Sequence, residues 1–171
     1  MFEENQHELT ETVIQIKRTS KKTKGGNRLS FTALAVVGDQ QGRVGTALSK
    51  APIVLSAIKK AQREARKYMF SFPLVGEAKT IPHRVELQSG ASRVLLKPAP
   101  AGTGIRAGQA VRAVLEAGGI KNVVTKILGS GNIKGNVDAT VEALQSLRDP
   151  GRRILQPKAK PEKKKRKSAK A

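Results

Sequence analysis

Residues 13–50 have the sequence VIQIKRTSKKTKGGNRLSFTALAVVGDQQGRVGTALSK, and their pattern predicts the architecture of the first half of the chain. The segments Val13–Lys17, Leu29–Val37 and Val44–Lys50 are rich in β-branched and apolar residues, which is typical of strands. The glycine-bounded segment Gly38–Gly42 joins the last two, as a tight turn would. The pattern predicts a three-stranded antiparallel meander.

A helix is predicted directly after the third strand. Pro52 suits a first helical turn, and Ile53–Met69 contains neither glycine nor proline. At about 100° per residue, apolar and basic residues separate onto two sides. The apolar side comprises Val54, Ala57, Ile58, Ala61, Ala65, Tyr68 and Met69, and the basic side Lys59, Lys60, Arg63, Arg66 and Lys67. We expect the apolar side to cover the sheet and most of the basic side to be solvated, with one or two cations free to bind phosphate.

A second unit is predicted after Phe72-Pro73 and Gly76, which break the pattern. Its predicted elements, in order, are a strand pair, a helix, a strand and a final helix: Arg84–Gln88 with Arg93–Lys97, Gly108–Ala117, Asn122–Leu128 and Val137–Leu147. This order is typical of an α+β or split βαβ unit. The chain is thereby divided into an extension (1–11), a first domain (12–73), a second domain (74–150) and a tail (151–171), and the tail is too polar and basic to be expected to fold in isolation.

The overall charge points to a polyanionic partner. The chain has 33 Lys and Arg against 13 Asp and Glu, a formal net charge of +20 over 171 residues, and nucleic acid is the first candidate for neutralising it. Without cysteine, and with two histidines, thiolate metal sites and cysteine nucleophiles are excluded. No apolar run approaches the roughly 18 residues of a membrane span, so we expect a cytoplasmic protein with no membrane partner.

The densest cation cluster lies between the first two predicted strands. Residues 17–28 carry six basic side chains and no acidic one, and bend at Gly25-Gly26, which predicts a cationic hairpin tip whose amines and backbone N–H groups face phosphate. The alternative is a merely solvated loop. Since aromatic residues make up 3% of the chain, folded or duplex RNA is a better candidate ligand than stacked single strands. The predicted RNA-binding residues are Lys17, Arg18, Lys21, Lys22, Lys24, Gly25, Gly26, Asn27, Arg28, Arg43 and Lys50.

A glycine-rich segment, Gly102–Gly108, leads from a predicted strand region into a helix. Such segments can hold anions on free helix N–H groups, as the glycine loop of a family of small-molecule kinases does, so nucleotide binding is one alternative. Phosphoryl transfer needs a metal-holding carboxylate and a positioned base, and the sequence supplies no such set, nor any nucleophile, base and acid combination. We therefore predict tight packing or a protein contact at this segment, no enzyme activity, no metal and no cofactor.

The chain resembles the bacterial S-five family, the fifth protein of the small ribosomal subunit. The resemblance is carried by an ordered series of motifs between residues 10 and 147. They are residues 20–34, Val36–Asp39, Gly42–Gly45, His83, Lys97–Ala99, Gly102–Ile105, Ala107-Gly108, Arg112–Glu116, Gly129-Ser130 and Ala139-Thr140.

The resemblance implies an α+β fold: an N-terminal domain like a double-stranded RNA-binding domain, with three strands and a helix, and a C-terminal domain with a left-handed βαβ crossover. It also implies binding to small-subunit ribosomal RNA, contacts with ribosomal proteins S-four and S-eight, and a position near the path by which messenger RNA enters. Residues matching Gly102, Thr103, Gly104 and Arg112 would form the protein interface and influence decoding accuracy. No homo-oligomer is expected, and the remaining alternative is a nonspecific polyanion binder driven by net charge alone.

Overall fold

The computed structural model describes residues 9–148. The first half of this range forms a four-stranded antiparallel sheet of order β1-β2-β3-β4, with a helix between its last two strands. These elements are β1 (Thr10–Thr23), β2 (Gly26–Gly38), β3 (Arg43–Ala51), α1 (Val54–Lys67) and β4 (Phe70–Ser71). The predicted meander and helix are confirmed, but the prediction of three strands was one too few. The missed β4 has only two residues, too few to show the two-residue periodicity of a strand.

The second half forms a mixed sheet of order β5-β6-β8-β7, in which only β7 and β8 run parallel. Its elements are β5 (Val85–Ser89), β6 (Ser92–Pro98), β7 (Ile105–Arg106), α2 (Gln109–Ala117), β8 (Val123–Ile127) and α3 (Ile133–Gln145). The predicted α+β class is confirmed, and β7-α2-β8 is a βαβ unit whose two parallel strands are direct neighbours in the sheet. The two-residue β7 was not predicted, and α3 begins about one turn before the predicted Val137. The handedness of the crossover stays a prediction.

The elements stack in layers around two apolar clusters. On one face of the first sheet, Ala33 and Ala35 pack against Ala57 and Ala61 of α1. On the opposite face, residues of β2 and β3 join a larger core with α2, α3 and the second sheet. That core includes Leu34, Val36, Val44, Val94, Leu96, Val111, Val114, Leu115, Val123, Val137 and Leu144. Successive residues of a strand point to opposite faces, so β2 supplies both clusters.

The helix α1 approaches the sheet closely at Gly45, and small residues line the contact. Its buried residues are alanines at 57, 61 and 65, and a Cβ added at Gly45 would lie 2.2 Å from the carbonyl oxygen of Ala65. Tyr68, which was predicted to lie on the apolar side, is 71% exposed. The prediction was wrong because the helix ends at Lys67 and Tyr68 is its cap, with φ −103° and ψ 29°, so the helical wheel no longer applies.

Backbone hydrogen bonds join the two halves. The predicted turn between β2 and β3 is confirmed, and it meets the C-terminal end of α2: Gln40 N donates to Ala117 O at 3.1 Å, and Gly42 N donates to Gly118 O at 3.0 Å. These donors satisfy carbonyls that a helix end leaves unpaired. A Cβ at Gly38 would lie 2.0 Å from Ala117 O, so glycine is needed for this close approach. The end of the first sheet is thus fixed on the second half.

No helix within residues 9–148 is long and apolar enough to cross a membrane. The tail that was predicted not to fold in isolation lies outside the described residues, as does most of the predicted extension.

Candidate nucleic-acid interface

The basic segment is a paired ribbon rather than a loop. β1 and β2 remain paired as far as Thr23 and Gly26, and only Lys24 and Gly25 form the turn. The predicted hairpin is confirmed, but its strands are longer than expected, since polar residues with exposed side chains continue the ladder beyond the apolar runs. We call residues 17–32 the basic ribbon; every residue from Ser20 to Leu29 is exposed.

A β-bulge in β1 determines which face of the ribbon each cation occupies. The register shifts between Val13 and Gln15: Val13 pairs with Ala35, which faces α1, whereas Gln15 pairs with Leu34, which faces the larger core. Cross-strand partners share a face, and a shift of one residue exchanges the faces of everything that follows. The bulge also lets Ile14 pack against the larger core. Nothing in the sequence pattern indicated this bulge.

Beyond the bulge the basic ribbon has two different faces. On the face opposite α1, cations alternate with hydroxyl groups: Lys17 pairs with Thr32, Thr19 with Ser30 and Lys21 with Arg28, while Thr32 also pairs with Lys50 of β3. We call this the ribbon groove face. The other face carries Arg18 opposite Phe31 and Lys22 opposite Asn27.

The ribbon groove face contains an open concavity of about 330 Å³, lined by Lys21, Arg28, Ser30, Lys50, Ala51 and Pro52. No carboxylate lines it, and none of its three cations forms an ion pair with another described residue. Cations and hydroxyl donors without competing acids are suited to phosphate oxygens. The cations were predicted from the sequence, but Ser30 was not, because only the cross-strand register places it among them.

The turn at the end of the ribbon is open. A Cβ at Gly25 or Gly26 would meet nothing within 4 Å, and Gly26 has φ +126°, a conformation that favours glycine. The hydroxyl of Thr23 donates to Gly26 O at 2.8 Å, which closes the turn. The backbone at the end of the ribbon is therefore accessible to a ligand, as predicted from the two glycines.

The structure does not bring Arg43 together with the other predicted RNA-binding residues. It begins β3 at the opposite end of the sheet, next to the turn that contacts α2, and its amide donates to Asp39 Oδ1 at 3.0 Å. β2 has 13 residues, so at about 3.3 Å per residue Arg43 lies roughly 40 Å from the ribbon's turn.

The predicted protein interface forms a second surface. Gly102 and Gly104 adopt left-handed conformations with φ +88° and +71°. Gly104 N donates to Asn122 Oδ1 at 3.0 Å, and Arg112 Nε donates to Glu116 Oε1 at 2.9 Å. Arg112 lines a cleft of about 410 Å³. Its other lining residues are Gln40, Lys79, Ile105, Glu116, Gly119, Ile120 and Lys121.

Nothing in the described range favours the nucleotide-binding alternative. The buried side chain of Asn122 accepts the hydrogen bond from the Gly104 amide and also donates to Ala78 O at 2.6 Å. That amide is therefore engaged within the protein. Among residues 9–148, no group of three or more His, Cys, Asp and Glu side chains is placed to hold a metal ion.

Two family models match the chain: "Ribosomal protein S5, N-terminal domain" over residues 9–73, and "Ribosomal protein S5, C-terminal domain" over residues 87–156. The chain belongs to the ribosomal protein S5 family. The resemblance noted in the sequence is thereby confirmed, as is the α+β fold that it implied. Members of the S5 family are structural proteins of the ribosome, so the prediction of no enzyme activity is confirmed as well.

Several S5 family members are similar over most of their length. "Small ribosomal subunit protein uS5" of Syntrophobacter fumaroxidans is 50% identical over 148 residues, covering 86% of this chain and 88% of the relative. The same protein of Rubrobacter xylanophilus is 53% identical over 141 residues, or 82% and 70% of the two chains. That of Thermotoga neapolitana is 49% identical over 150 residues, or 88% and 83%. These relatives confirm the predicted location in the small ribosomal subunit, which is cytoplasmic in bacteria.

Proposed function

We propose that this S5 family member is a structural constituent of the small subunit that binds ribosomal RNA through the ribbon groove face. The observation that carries the proposal is the groove itself: Lys21, Arg28 and Lys50 surround an open, acid-free concavity on a strand pair that the rest of the fold anchors. The exposed cations Lys17, Arg18, Lys22 and Lys24, with Asn27 and the two turn glycines, extend the contact along and around the ribbon.

Binding would act through neutralisation of phosphates, since lysine and arginine side chains release counterions from RNA when they contact its backbone. The ribbon is anchored at its base, because Leu34 and Val36 of β2 are buried and the turn after β2 is hydrogen-bonded to α2. Its cations are thus presented in a fixed arrangement, at little additional cost in conformational entropy. Arg43 would make at most a separate contact at the far end of the sheet.

The first domain would span residues 12–73 and the second residues 74–150. The second domain would supply the protein contacts. Gly102, Thr103, Gly104 and Arg112 would face a neighbouring ribosomal protein such as S-four, and another surface would meet S-eight. Arg112 and the residue after Gly104, Ile105, line the same cleft, which supports a single contact surface. Such a protein would brace the joint between the head and the body of the subunit near the messenger RNA path, and so influence decoding accuracy.

The test is the salt dependence of binding between the full-length chain and deproteinised small-subunit ribosomal RNA. Replacing the three cations of the groove, Lys21, Arg28 and Lys50, together by alanine should reduce the slope of log K against log salt by about 2 to 3, since each lost phosphate contact removes roughly 0.7 to 0.9. The matched control replaces Lys97, Arg106 and Lys126, three exposed cations of the second sheet, by alanine. The proposal is wrong if both variants change the slope equally.

A chain that lacks residues 158–171 distinguishes the proposal from nonspecific polyanion binding driven by net charge alone. These residues include eight basic residues and one acidic residue, so their removal lowers the net charge strongly while leaving the ribbon and the segments matched by both family models intact. We expect this shorter chain still to co-sediment with small subunits. Loss of co-sedimentation would favour the charge-driven alternative.

A further inference from the structure

The outward face of α1 is a second concentration of positive charge. Five basic side chains lie on it and all are exposed, in positions that repeat at helical spacing. They are Lys59, Lys60, Arg63, Arg66 and Lys67. Among the described residues, only Arg66 of this set has an ion-pair partner, Glu11 of β1. The one acidic residue of the helix, Glu64, accepts a hydrogen bond from the buried Ser49 of β3 instead.

Arg66 and Lys67 lie in the last turn, where the helix dipole favours cations, but the spacing of the set is unfavourable for a helix face that meets only water. Lys59 and Arg63 are four residues apart, as are Arg63 and Lys67, and like charges at this spacing repel. The first turn of α1 contains no acidic residue that would interact with the helix dipole. A solvated helix face usually alternates charges of opposite sign. An anionic ligand would remove the repulsion among these cations.

The spacing of the cations fits a polyanionic backbone. With a rise of about 1.5 Å per residue, Lys59, Arg63 and Lys67 follow one another at intervals of roughly 6 Å along one side of the helix. A nucleic-acid strand carries a regular row of phosphates on a comparable scale. The alanine face of α1 packs directly on the first sheet. The backbone that carries these three cations is therefore fixed against the sheet.

We infer that this face, the α1 cation row of Lys59, Lys60, Arg63 and Lys67, binds the sugar-phosphate backbone of a second duplex RNA segment. The α1 cation row and the ribbon groove face lie on opposite sides of the first sheet, because α1 covers the face of Ala33 and Ala35 whereas Lys50, like Leu34, lies on the other face. One duplex backbone cannot run along both surfaces at once. The inference rests on the proposed function and adds that the first domain holds two RNA segments, one on each side of its sheet.

The first experiment measures acetylation of lysine amines by mass spectrometry, with the full-length chain alone, bound to an RNA duplex of about 20 base pairs, and in assembled small subunits. Lys59 and Lys67 should become several-fold less reactive both with the duplex and in subunits. The reactivity of Lys97 and Lys126 with the duplex should stay within about twofold of that in the free chain, because only bound phosphates shield the amines.

Each other outcome has a definite meaning. If Lys21 and Lys50, the two lysines of the groove, are protected by the duplex but Lys59 and Lys67 are not, the inference is wrong and the proposed function stands. If neither pair is protected, both fail. Protection of Lys59 and Lys67 in subunits but not by the duplex would mean that a protein covers α1, which overturns the inference.

In the second experiment, the protein is first bound to an immobilised RNA duplex. The amount of a second, labelled duplex that it then captures from solution is measured. Replacing Lys59, Arg63 and Lys67 together by glutamine, which keeps helix propensity, should reduce capture about tenfold and lower the salt slope by about 2. The control replaces Lys97, Arg106 and Lys126 by glutamine, an equal change in net charge, and should capture normally. Far-UV circular dichroism establishes that both variants fold. Equal capture by the two folded variants would refute the second binding surface.

Discussion

The two halves of the β1–β2 hairpin have the same backbone ladder but opposite surroundings. Near the base of the hairpin, Leu34 is 3% exposed and packs in the larger core; toward the turn, Leu29 of the same strand is 48% exposed. One half stabilises the fold and the other presents cations on a surface. Continuous strand pairing therefore does not indicate continuous burial, and a strand can extend well beyond the core that supports it.

The largest expected effect compares these two leucines. Leu34→Ala should lower the free energy of unfolding by about 2 to 5 kcal/mol, because it leaves a cavity in a packed core. Leu29→Ala should change it by no more than about 0.5 kcal/mol, as surface substitutions usually do. Urea unfolding followed by circular dichroism measures both. Similar losses for the two variants would show that the exposed half of the hairpin also stabilises the fold.

The strands of this comparison were predictable from sequence, but their extent was not. Apolar residues alternate with polar ones or follow one another in Val13–Lys17 and Leu29–Val37. This pattern arises because at least one face of each of these strands is buried. Residues 18–28 lack that signal, since both faces of the ribbon are exposed, and only backbone pairing makes them strands. The same limit explains why β4 and β7, of two residues each, escaped prediction.

The next effect distinguishes the two faces of the basic ribbon. Replacing Lys17, Lys21 and Arg28 by alanine should weaken binding to small-subunit ribosomal RNA by about 10- to 100-fold near 0.1 M salt, because these three lie on the ribbon groove face. Replacing Arg18, Lys22 and Lys24 removes the same charge and should weaken binding several-fold less. Filter binding or fluorescence anisotropy at several salt concentrations compares them. Equal losses would mean that charge density, rather than face, determines binding.

The cations of the candidate site were predictable, whereas their distribution over two faces was not. Charge is visible in the sequence, so Lys21, Arg28 and Lys50 could be named as binding residues. The bulge between Val13 and Gln15 is set by where Ile14 packs in the larger core, and that is a tertiary contact. Arg43 was grouped with the others because sequence analysis places residues along the chain and gives no measure of the distance across a sheet.

A smaller effect concerns the turn. Gly26→Ala should lower stability by about 1 kcal/mol or more, since alanine rarely adopts φ +126°. Gly25→Ala should be nearly neutral, because its φ is not positive and a Cβ there would meet nothing within 4 Å. Thermal unfolding combined with amide hydrogen exchange in β1 and β2 measures both. If Gly25→Ala disturbs exchange as much as Gly26→Ala does, the turn conformation differs from the one described.

The smallest effect tests whether the anchored half of the hairpin depends on surface charge. Arg66 of α1 donates through Nε to Glu11 Oε1 at 2.9 Å, and the arginine side chain is 56% exposed. Exposed pairs contribute little and are screened by salt, so Glu11→Gln should cost about 0.5 kcal/mol at low salt and nothing measurable at high salt. Glu77→Gln is the control, because it removes the same charge from an exposed carboxylate with no ion pair among residues 9–148. A cost for Glu11→Gln that persists at high salt would indicate that the pair, and not apolar packing alone, holds the start of β1 against α1.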